Sequence, residues 1–219
     1  MFIDNINNME MYQLKKRQKF YLGIKRLLDI IFALLVILLL SWFILILLLI
    51  NLISSKGHPV FAQSRVGKKG KVFRILKFRT MKYGINEHMT SADPNNTKEN
   101  CTRFGRFLRM TSLDEILQIF NIFVGQMSFI GPRPLIDEGV DHLTIEYRKE
   151  NGAINLKPGI TGLAQINGRV NASPEKKSEY DAKYYQKISL WLDIKIFFIT
   201  IFKTLTRKDI FDEGTENEK

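Results

Sequence analysis

The sequence IIFALLVILLLSWFILILLLI, from Ile30 to Ile50, decides how the rest of the chain is interpreted. Its only clearly polar side chain is Ser41, and it contains no proline. As a straight helix this segment would be roughly 31 Å long, about the thickness of a bilayer core. A buried core helix is an alternative, but so unbroken an apolar segment favours lipid. A secretory signal is disfavoured, because the segment is too long and no small-residue cleavage site follows. We predict a membrane-inserted helix over residues 27–55.

Basic residues flank the apolar segment on both sides. Six precede it within residues 1–26, and nine follow between Lys56 and Lys82, an interval without an acidic residue. Because Lys and Arg near a membrane segment favour the cytoplasmic side, a straight span would place one basic flank on the wrong side. A helix that bends and leaves on the face where it entered satisfies both flanks. Ser41, near the midpoint, can bond back to a carbonyl there. We therefore predict a re-entrant helix.

The composition indicates an anionic partner. Lys and Arg total 33 against 22 Asp and Glu, so the formal net charge of the 219 residues is +11. Nucleic acid, anionic lipid or a phosphorylated substrate would each match this surplus. The single cysteine, Cys101, excludes an internal disulfide, and His58, His88 and His142 lack metal-ligand spacing. We predict a basic segment at 1–26, one domain over 56–208 and a polar tail at 209–219.

A β-hairpin is predicted directly after the apolar segment. The apolar residues 60–62 are followed by a turn sequence, Gly67-Lys68-Lys69-Gly70, and a second strand from Lys71 to Met81. On a strand with a period of two, Lys77 and Arg79 share one face about 7 Å apart. They are either solvated side chains or phosphate ligands.

Two adjacent carboxylates, Asp114 and Glu115, follow an arginine-rich stretch. We predict helices over 103–109 and 111–123, separated near a Ser/Thr pair. Ser112 and Glu115 have the S-x-x-E spacing of a capping box, which would place Asp114 in the first turn. The competing interpretation is a pocket that accepts phosphate and metal, because three cations at helical spacing lie beside these carboxylates. The cations are Arg103, Arg106 and Arg109.

The second half of the chain contains two loops and two helices. A further loop is predicted in the first half of the chain, over residues 86–100. Pro132 and Pro134 exclude a helix interior around Arg133, so its guanidinium is either part of a rigid turn or a preset ligand. A Gly/Pro-rich loop is predicted over 156–162, followed by helices over 173–187 and 190–205. Asp193, in the last helix, has no basic residue three or four positions away, so it is either exposed or a site residue.

Seven motifs in a fixed order resemble the bacterial sugar transferase family, in its short, monotopic polyprenyl-phosphate phosphoglycosyl transferase form. Each motif is weak alone, but the ordered set from Lys25 to Leu205 is specific. The motifs are Lys25-Arg26-Leu27-Leu28-Asp29, Gln63-Ser64-Arg65-Val66-Gly67, Lys77-Phe78-Arg79-Thr80-Met81, Thr102-Arg103-Phe104-Gly105-Arg106-Phe107-Leu108-Arg109, Thr111-Ser112-Leu113-Asp114-Glu115, Gly131-Pro132-Arg133-Pro134-Leu135 and Lys157-Pro158-Gly159-Ile160-Thr161-Gly162.

The resemblance implies an α+β fold and a reaction at the cytoplasmic face of a bacterial inner membrane. A re-entrant membrane helix would precede a small, mostly helical catalytic domain with a short β-hairpin and interfacial amphipathic helices. The enzyme would move a phospho-sugar from a UDP-sugar to polyprenyl phosphate and release UMP, as the first membrane step of surface polysaccharide or glycoconjugate synthesis. A homodimer and downstream glycosyltransferases are further implied partners, and nucleic acid is not.

The resemblance also implies roles for particular residues. Asp114 would be the nucleophile that forms an aspartyl phospho-sugar, and Glu115 would bind Mg²⁺. The implied phosphate- and substrate-binding residues are Lys77, Arg79, Arg109, Arg133, Gln165, Arg169 and Asp193. The chain departs from the family pattern at Trp42, Leu117, Gln126 and Ala164, none of which is the implied nucleophile or metal ligand.

Two other classes of protein remain as alternatives. A membrane-tethered nucleic-acid-binding protein would account for the charge, but Asp114 and Glu115 would repel a phosphate backbone without a metal. No helix-turn-helix or aromatic RNA-binding signature supports this class. An inactive scaffold of a polysaccharide assembly complex would share the motifs without the reaction.

The re-entrant helix predicts that Lys15 and Lys69 lie on the same, cytoplasmic side of the membrane. Single cysteine substitutions at the two positions should both resist a membrane-impermeant thiol reagent added to intact cells, because both basic flanks stay inside. Labelling of one position and protection of the other would establish a full span instead.

Overall fold

The computed structural model describes residues 12–55, 57–82, 100–167 and 172–206. It is mostly helical with two small sheets, as predicted for an α+β fold. In chain order its helices and strands are α1 (Lys16–Ser55), β1 (Val60–Val66), β2 (Val72–Phe78), α2 (Arg103–Met110), α3 (Gln118–Val124), β3 (Ser128–Ile130), α4 (Gly139–Asn151), β4 (Gly159–Thr161), α5 (Leu163–Asn167), α6 (Pro174–Lys187) and α7 (Leu190–Thr206). The loop predicted at 86–100, apart from Asn100, and the polar tail lie outside the described residues.

The apolar segment forms part of α1, a helix of 40 residues. It ends at Ser55, as predicted, but begins at Lys16, well before residue 27. By length and composition α1 can cross a membrane. Many of its large apolar side chains are exposed, including Leu39 at 68% and Trp42 at 63%, so lipid is their natural surrounding. The Ser41 hydroxyl donates to the Leu38 carbonyl at 3.2 Å, which is the side-chain hydrogen bond to a preceding carbonyl that was expected here. The re-entrant bend itself stays a prediction.

The predicted hairpin is confirmed, with a shorter second strand. β1 and β2 pair in a two-stranded sheet, and the Gly67 N–H donates to the Lys71 carbonyl at 2.8 Å. Lys69 (φ 59°) and Gly70 (φ 75°) supply the left-handed backbone of the turn. The second strand ends at Phe78 rather than Met81.

The chain forms two compact units built from interleaved segments. The terminal unit comprises Met1–Asp29, Arg65–Phe73 and Gln126–Lys219, and the central unit comprises Ile30–Ser64 and Arg74–Gly125. The domains predicted with boundaries at 26, 55 and 208 are continuous stretches of sequence. Each compact unit instead combines segments from separate parts of the chain.

The central unit packs α1, β2 and α2 around one apolar cluster. Ile44, Leu47, Phe78, Leu108 and Leu117 are its buried members.

A buried asparagine of α3 fastens that helix to β2. Its side-chain oxygen, on Asn121, accepts from the Leu76 N–H at 2.9 Å, and its amide nitrogen donates to the Arg74 carbonyl at 2.8 Å. One amide side chain therefore pairs two backbone groups of the strand, which would be costly to bury unpaired.

The helix predicted over 111–123 is present but begins seven residues later than predicted, and the predicted capping box is wrong. α2 continues to Met110, a 3₁₀ turn covers Leu113–Glu115, and α3 begins only at Gln118. Ser112 lies in the left-handed region at φ 55°, and its side chain makes no capping bond. The capping residue is instead Thr102, whose hydroxyl accepts from the Gly105 N–H at 2.8 Å. The S-x-x-E spacing occurs where the chain leaves one helix, not where it enters the next.

The terminal unit contains a second sheet that the sequence analysis missed. β3 and β4 are parallel, with Ser128 opposite Gly159 and Ile130 opposite Thr161. A Cβ atom at Gly159 would lie 2.1 Å from the Gly131 nitrogen, so glycine is required for this close pairing. α6 and α7 follow almost as predicted. The buried apolar residues of this unit include Tyr21, Ile130, Tyr184, Ile188 and Ile196.

The close packing around Gly105, compared with the open space around Gly23, predicts that alanine substitutions at these two helical glycines change stability in opposite directions. A Cβ atom at Gly105 would lie 2.0 Å from the Thr80 carbonyl oxygen, whereas one at Gly23 would meet nothing within 4 Å. Gly105→Ala should therefore destabilise the protein by about 2 kcal/mol or more. Gly23→Ala should stabilise α1 by roughly 0.5 kcal/mol or more. Thermal unfolding in detergent should show opposite shifts in Tm, and equal shifts would contradict the packing described.

Candidate active site

An ion pair joins the end of β2 to the 3₁₀ turn. The Lys77 ammonium lies 2.6 Å from Glu115 Oε1, and the two side chains are 21% and 28% exposed. A pair in this partly shielded position interacts more strongly than one in bulk water. It therefore holds the Glu115 carboxylate in a fixed place while leaving it accessible.

Asp114 lies beside this pair and is half-buried. Burial raises the pKa of its carboxyl above the usual value, and the neighbouring negative charge of Glu115 raises it further. The positive charges of Lys77 and Arg109 lower the same pKa. Two adjacent carboxylates are thus balanced by two cations, which favours the ionised form of both.

A left-handed residue creates the turn that presents both carboxylates. The hydroxyl of Thr111 donates to the Phe107 carbonyl at 2.8 Å and so satisfies the end of α2. Ser112 then reverses the chain at φ 55°. A non-glycine residue in this region costs roughly 1–2 kcal/mol, and such local strain is concentrated at functional sites.

The three arginines of α2 are not equivalent. Arg103 and Arg106 are exposed, whereas Arg109 is half-buried. The Arg109 Nε donates to the Thr80 hydroxyl at 2.8 Å. This bond anchors the guanidinium of Arg109, whose charge acts on Asp114, while Arg103 and Arg106 remain on the surface. Thr80 was not predicted as a site residue, although it lies in the same motif as Lys77, Lys77-Phe78-Arg79-Thr80-Met81.

Arg79 contacts another part of the central unit. It lies just past the end of β2, where its Nε donates to the His58 carbonyl at 2.8 Å. Its guanidinium carbon is 6.0 Å from the centre of the Phe61 ring. These contacts brace the start of the hairpin, and phosphate binding by Arg79 stays a prediction.

The Pro-Arg-Pro turn is supported by a buried ion pair of the terminal unit. Arg148 and Asp181 are 2.6 Å apart and almost completely buried. Arg148 Nη1 also donates to the Arg133 carbonyl at 2.9 Å, while the Arg133 side chain is exposed. The turn is thus fixed through its backbone and leaves its guanidinium accessible. Because Arg148 and Asp181 are 33 residues apart, no local pattern predicted them.

Asp193 is a buried acceptor in a closed network. It is 5% exposed and accepts from the Tyr21 hydroxyl, the Lys25 ammonium and the Tyr184 hydroxyl, each at 2.6 Å. Burial, reinforced by the Asp193 charge, raises the pKa of both tyrosines. The exposed-face interpretation is therefore wrong, and the expected partner from elsewhere in the fold is Lys25. The network ties α1 to α7, and a role for Asp193 in substrate binding stays a prediction.

Two further predicted ligands, Gln165 and Arg169, come after β4 in the sequence. Gln165 lies on α5, where its amide nitrogen is 3.5 Å from the Ile160 carbonyl. Its side-chain oxygen is buried without a partner among the described residues. Arg169 lies outside the described residues.

The structure thus brings together Lys77, Arg109, Asp114 and Glu115 in the central unit. Arg133, Gln165 and Asp193 belong to the terminal unit. The described residues contain no group of three or more His, Cys, Asp or Glu side chains that could hold a metal.

Comparison with known proteins identifies the family. A UDP-glucose:undecaprenyl-phosphate glucose-1-phosphate transferase of Klebsiella pneumoniae is 41% identical over 197 residues, which cover 85% of this chain and 41% of the relative. The sugar transferase EpsL of Bacillus subtilis is 39% identical over 189 residues, which cover 85% of the chain and 90% of EpsL. A UDP-galactose-lipid carrier transferase of Erwinia amylovora is 36% identical over 200 residues, which cover 84% of the chain and 41% of the relative.

The chain spans less than half the length of the Klebsiella and Erwinia proteins. The family model described as bacterial sugar transferase matches residues 20–207, which include the whole central unit and most of the terminal unit. The chain belongs to the bacterial sugar transferase family.

Proposed function

We propose that this protein transfers a sugar 1-phosphate from a UDP-sugar to polyprenyl phosphate through a covalent intermediate on Asp114. The observation that carries the proposal is the half-buried Asp114–Glu115 pair with Lys77 and Arg109 beside it. The relatives support the substrate class, because their names specify UDP-glucose or UDP-galactose as donor and a lipid as acceptor. We propose a UDP-hexose and undecaprenyl phosphate for this chain.

In the first step, an Asp114 oxygen attacks the phosphorus that carries the sugar. A bond forms between that oxygen and phosphorus, and the bond from phosphorus to the bridging oxygen breaks. UMP leaves with the bridging oxygen and its electron pair. In the second step, a phosphate oxygen of the lipid attacks the same phosphorus. The Asp114 carboxylate leaves, and the product is a polyprenyl diphosphate-linked sugar.

The electrostatic setting suits a carboxylate nucleophile. Burial raises the pKa of Asp114 and makes its anion more basic, while Lys77 and Arg109 favour the ionised form. The same two cations can stabilise the negative charge that the diphosphate brings and that develops on the leaving UMP. Charge balance at Asp114 thus serves both the nucleophile and the leaving group.

Mg²⁺ fits the donor set of this site. Magnesium is usually held by one or two carboxylates, water and substrate phosphates, and the site offers one accessible carboxylate beside the nucleophile, on Glu115. We propose that Glu115 holds the ion, with Lys77 keeping the carboxylate in position. When bound, the ion would neutralise charge on the diphosphate oxygens.

We further propose that the enzyme works at the cytoplasmic face of a bacterial inner membrane, held there by a re-entrant α1. The basic flanks of the apolar segment support this orientation. α7 adds a second apolar surface, because Trp191, Phe198 and Phe202 are each more than 60% exposed. Aromatic residues prefer the membrane–water boundary, so α7 would lie in the interface.

The proposed mechanism predicts different outcomes for three carboxylate substitutions. Asp114→Asn should reduce UMP release to background, because an amide cannot replace the attacking anion. Glu115→Gln should cause a severe loss that added Mg²⁺ relieves only in part, because one ligand is missing. Asp137→Asn, which alters an exposed carboxylate paired with His142, should leave turnover unchanged. The assay follows UMP release from a panel of UDP-sugars with undecaprenyl phosphate in nanodiscs, and Tm confirms folding.

Near-normal turnover by folded Asp114→Asn would refute the covalent mechanism. Absence of UMP release from the wild-type protein with every donor would favour the inactive scaffold. Tight, salt-dependent binding of nucleic acid without UMP release would favour a membrane-tethered nucleic-acid-binding protein.

A further inference from the structure

A cleft of about 60 Å³ lies in the terminal unit, and none of Lys77, Arg109, Asp114 and Glu115 lines it. One side is the face of α1 formed by Leu22, Lys25, Arg26 and Asp29, in which both Lys25 and Arg26 lie three or four positions from Leu22 and from Asp29. The opposite side includes Lys157, from the loop that precedes β4. The cleft has room for several water molecules, or for a group as small as phosphate.

Positive charge predominates in this cleft. Lys25, Arg26, Lys68 and Lys157 all line it, against the single carboxylate of Asp29. Lys25 is balanced by Asp193 at 2.6 Å. Even so, Lys68 and Lys157 together exceed the single carboxylate of Asp29 by one positive charge.

Asp29 is held in the wall of the cleft by hydrogen bonds. It accepts from the Ser128 hydroxyl and the Phe129 N–H, each at 3.2 Å. These donors stabilise its charge and fix its position. The carboxylate is therefore a fixed part of the wall, where it attracts Lys25 and Lys157.

Lys157 is affected by the other positive charges that line the cleft. Burial lowers the pKa of its ammonium group, and repulsion from Arg26 and Lys68 lowers it further, while the charge of Asp29 opposes this shift only in part. Lys68 is exposed on the hairpin turn and Lys157 is half-buried. Among the described residues, neither makes a salt bridge within 4 Å. An anion placed between them would relieve the repulsion that the protein alone leaves in place.

Apolar residues and the position in the sequence indicate what carries the anion. Leu22, Ile130, Leu156 and Ile188 also line the cleft. Asp29, at its α1 side, is followed directly by Ile30, the first residue of the apolar membrane segment. The cleft therefore belongs at the depth where lipid phosphates meet hydrocarbon, and its cationic and apolar walls match both parts of a lipid headgroup region.

We propose that this cleft binds the phosphate group of a membrane lipid between Lys68, Lys157 and Arg26. The headgroup phosphate would come from an anionic phospholipid or from a polyprenyl phosphate, which share this chemistry. The proposal goes beyond the proposed reaction, because it requires no turnover at Asp114.

The test is lipid binding by the full chain in neutral detergent, measured by native mass spectrometry. Wild type should retain phosphatidylglycerol in preference to phosphatidylcholine, whose headgroup has no net charge. Lys68→Ala/Lys157→Ala should weaken phosphatidylglycerol binding at least tenfold, because two charge-assisted contacts are lost. The matched control, Lys176→Ala/Lys187→Ala, removes two charges from exposed positions of α6 and should change binding less than about twofold.

Equal weakening of phosphatidylglycerol binding by the two double variants would overturn the proposal. The binding would then reflect a general electrostatic attraction between the basic protein and the anionic lipid. Equal retention of phosphatidylcholine would also overturn it, as would displacement of phosphatidylglycerol by an equal concentration of inorganic phosphate. Displacement by undecaprenyl phosphate would support the proposal, and the tighter of the two lipids identifies the source. Asp114→Asn should bind lipid like wild type, which separates this test from that of the reaction.

Discussion

The ion pair between Lys77 and Glu115 is the interaction on which the candidate active site depends. Two carboxylates on adjacent residues repel each other, and partial burial makes each charge more costly. The 2.6 Å contact with Lys77 fixes one of them, and the charge of Arg109 helps to balance the other. The strained Ser112 turn is tolerated because the pair joins it to β2. The strand, the helix end and the turn therefore form one site.

Much of the fold follows from local patterns in the sequence. An unbroken apolar segment predicts α1, a glycine-flanked Lys-Lys turn predicts the hairpin, and two prolines keep the backbone around Arg133 out of a helix. The four residues gathered in the central unit were all named from their motifs. The inequivalence of the arginines was also visible, because Arg109 is the one closest in sequence to Asp114.

The features that were missed depend on contacts distant in sequence. β3 and β4 have three residues each, and their pairing rests on the close approach of Gly131 and Gly159, which no periodicity records. Asp193 appeared unpartnered because its cation, Lys25, is 168 residues away. The capping box failed for another reason. Its spacing was correct, but a left-handed Ser112 cannot serve as a helix N-cap, and backbone conformation is not written in a four-residue pattern.

If Asp114 forms a covalent bond to the phospho-sugar, as we propose, the intact mass of the protein will reveal that bond. Wild-type protein incubated with its UDP-sugar, without lipid acceptor, should gain the mass of one sugar phosphate. Fragmentation should place that mass on Asp114, and undecaprenyl phosphate should remove it. A protein that releases UMP and forms the lipid product without ever carrying this mass, or carries it on another residue, would contradict the account.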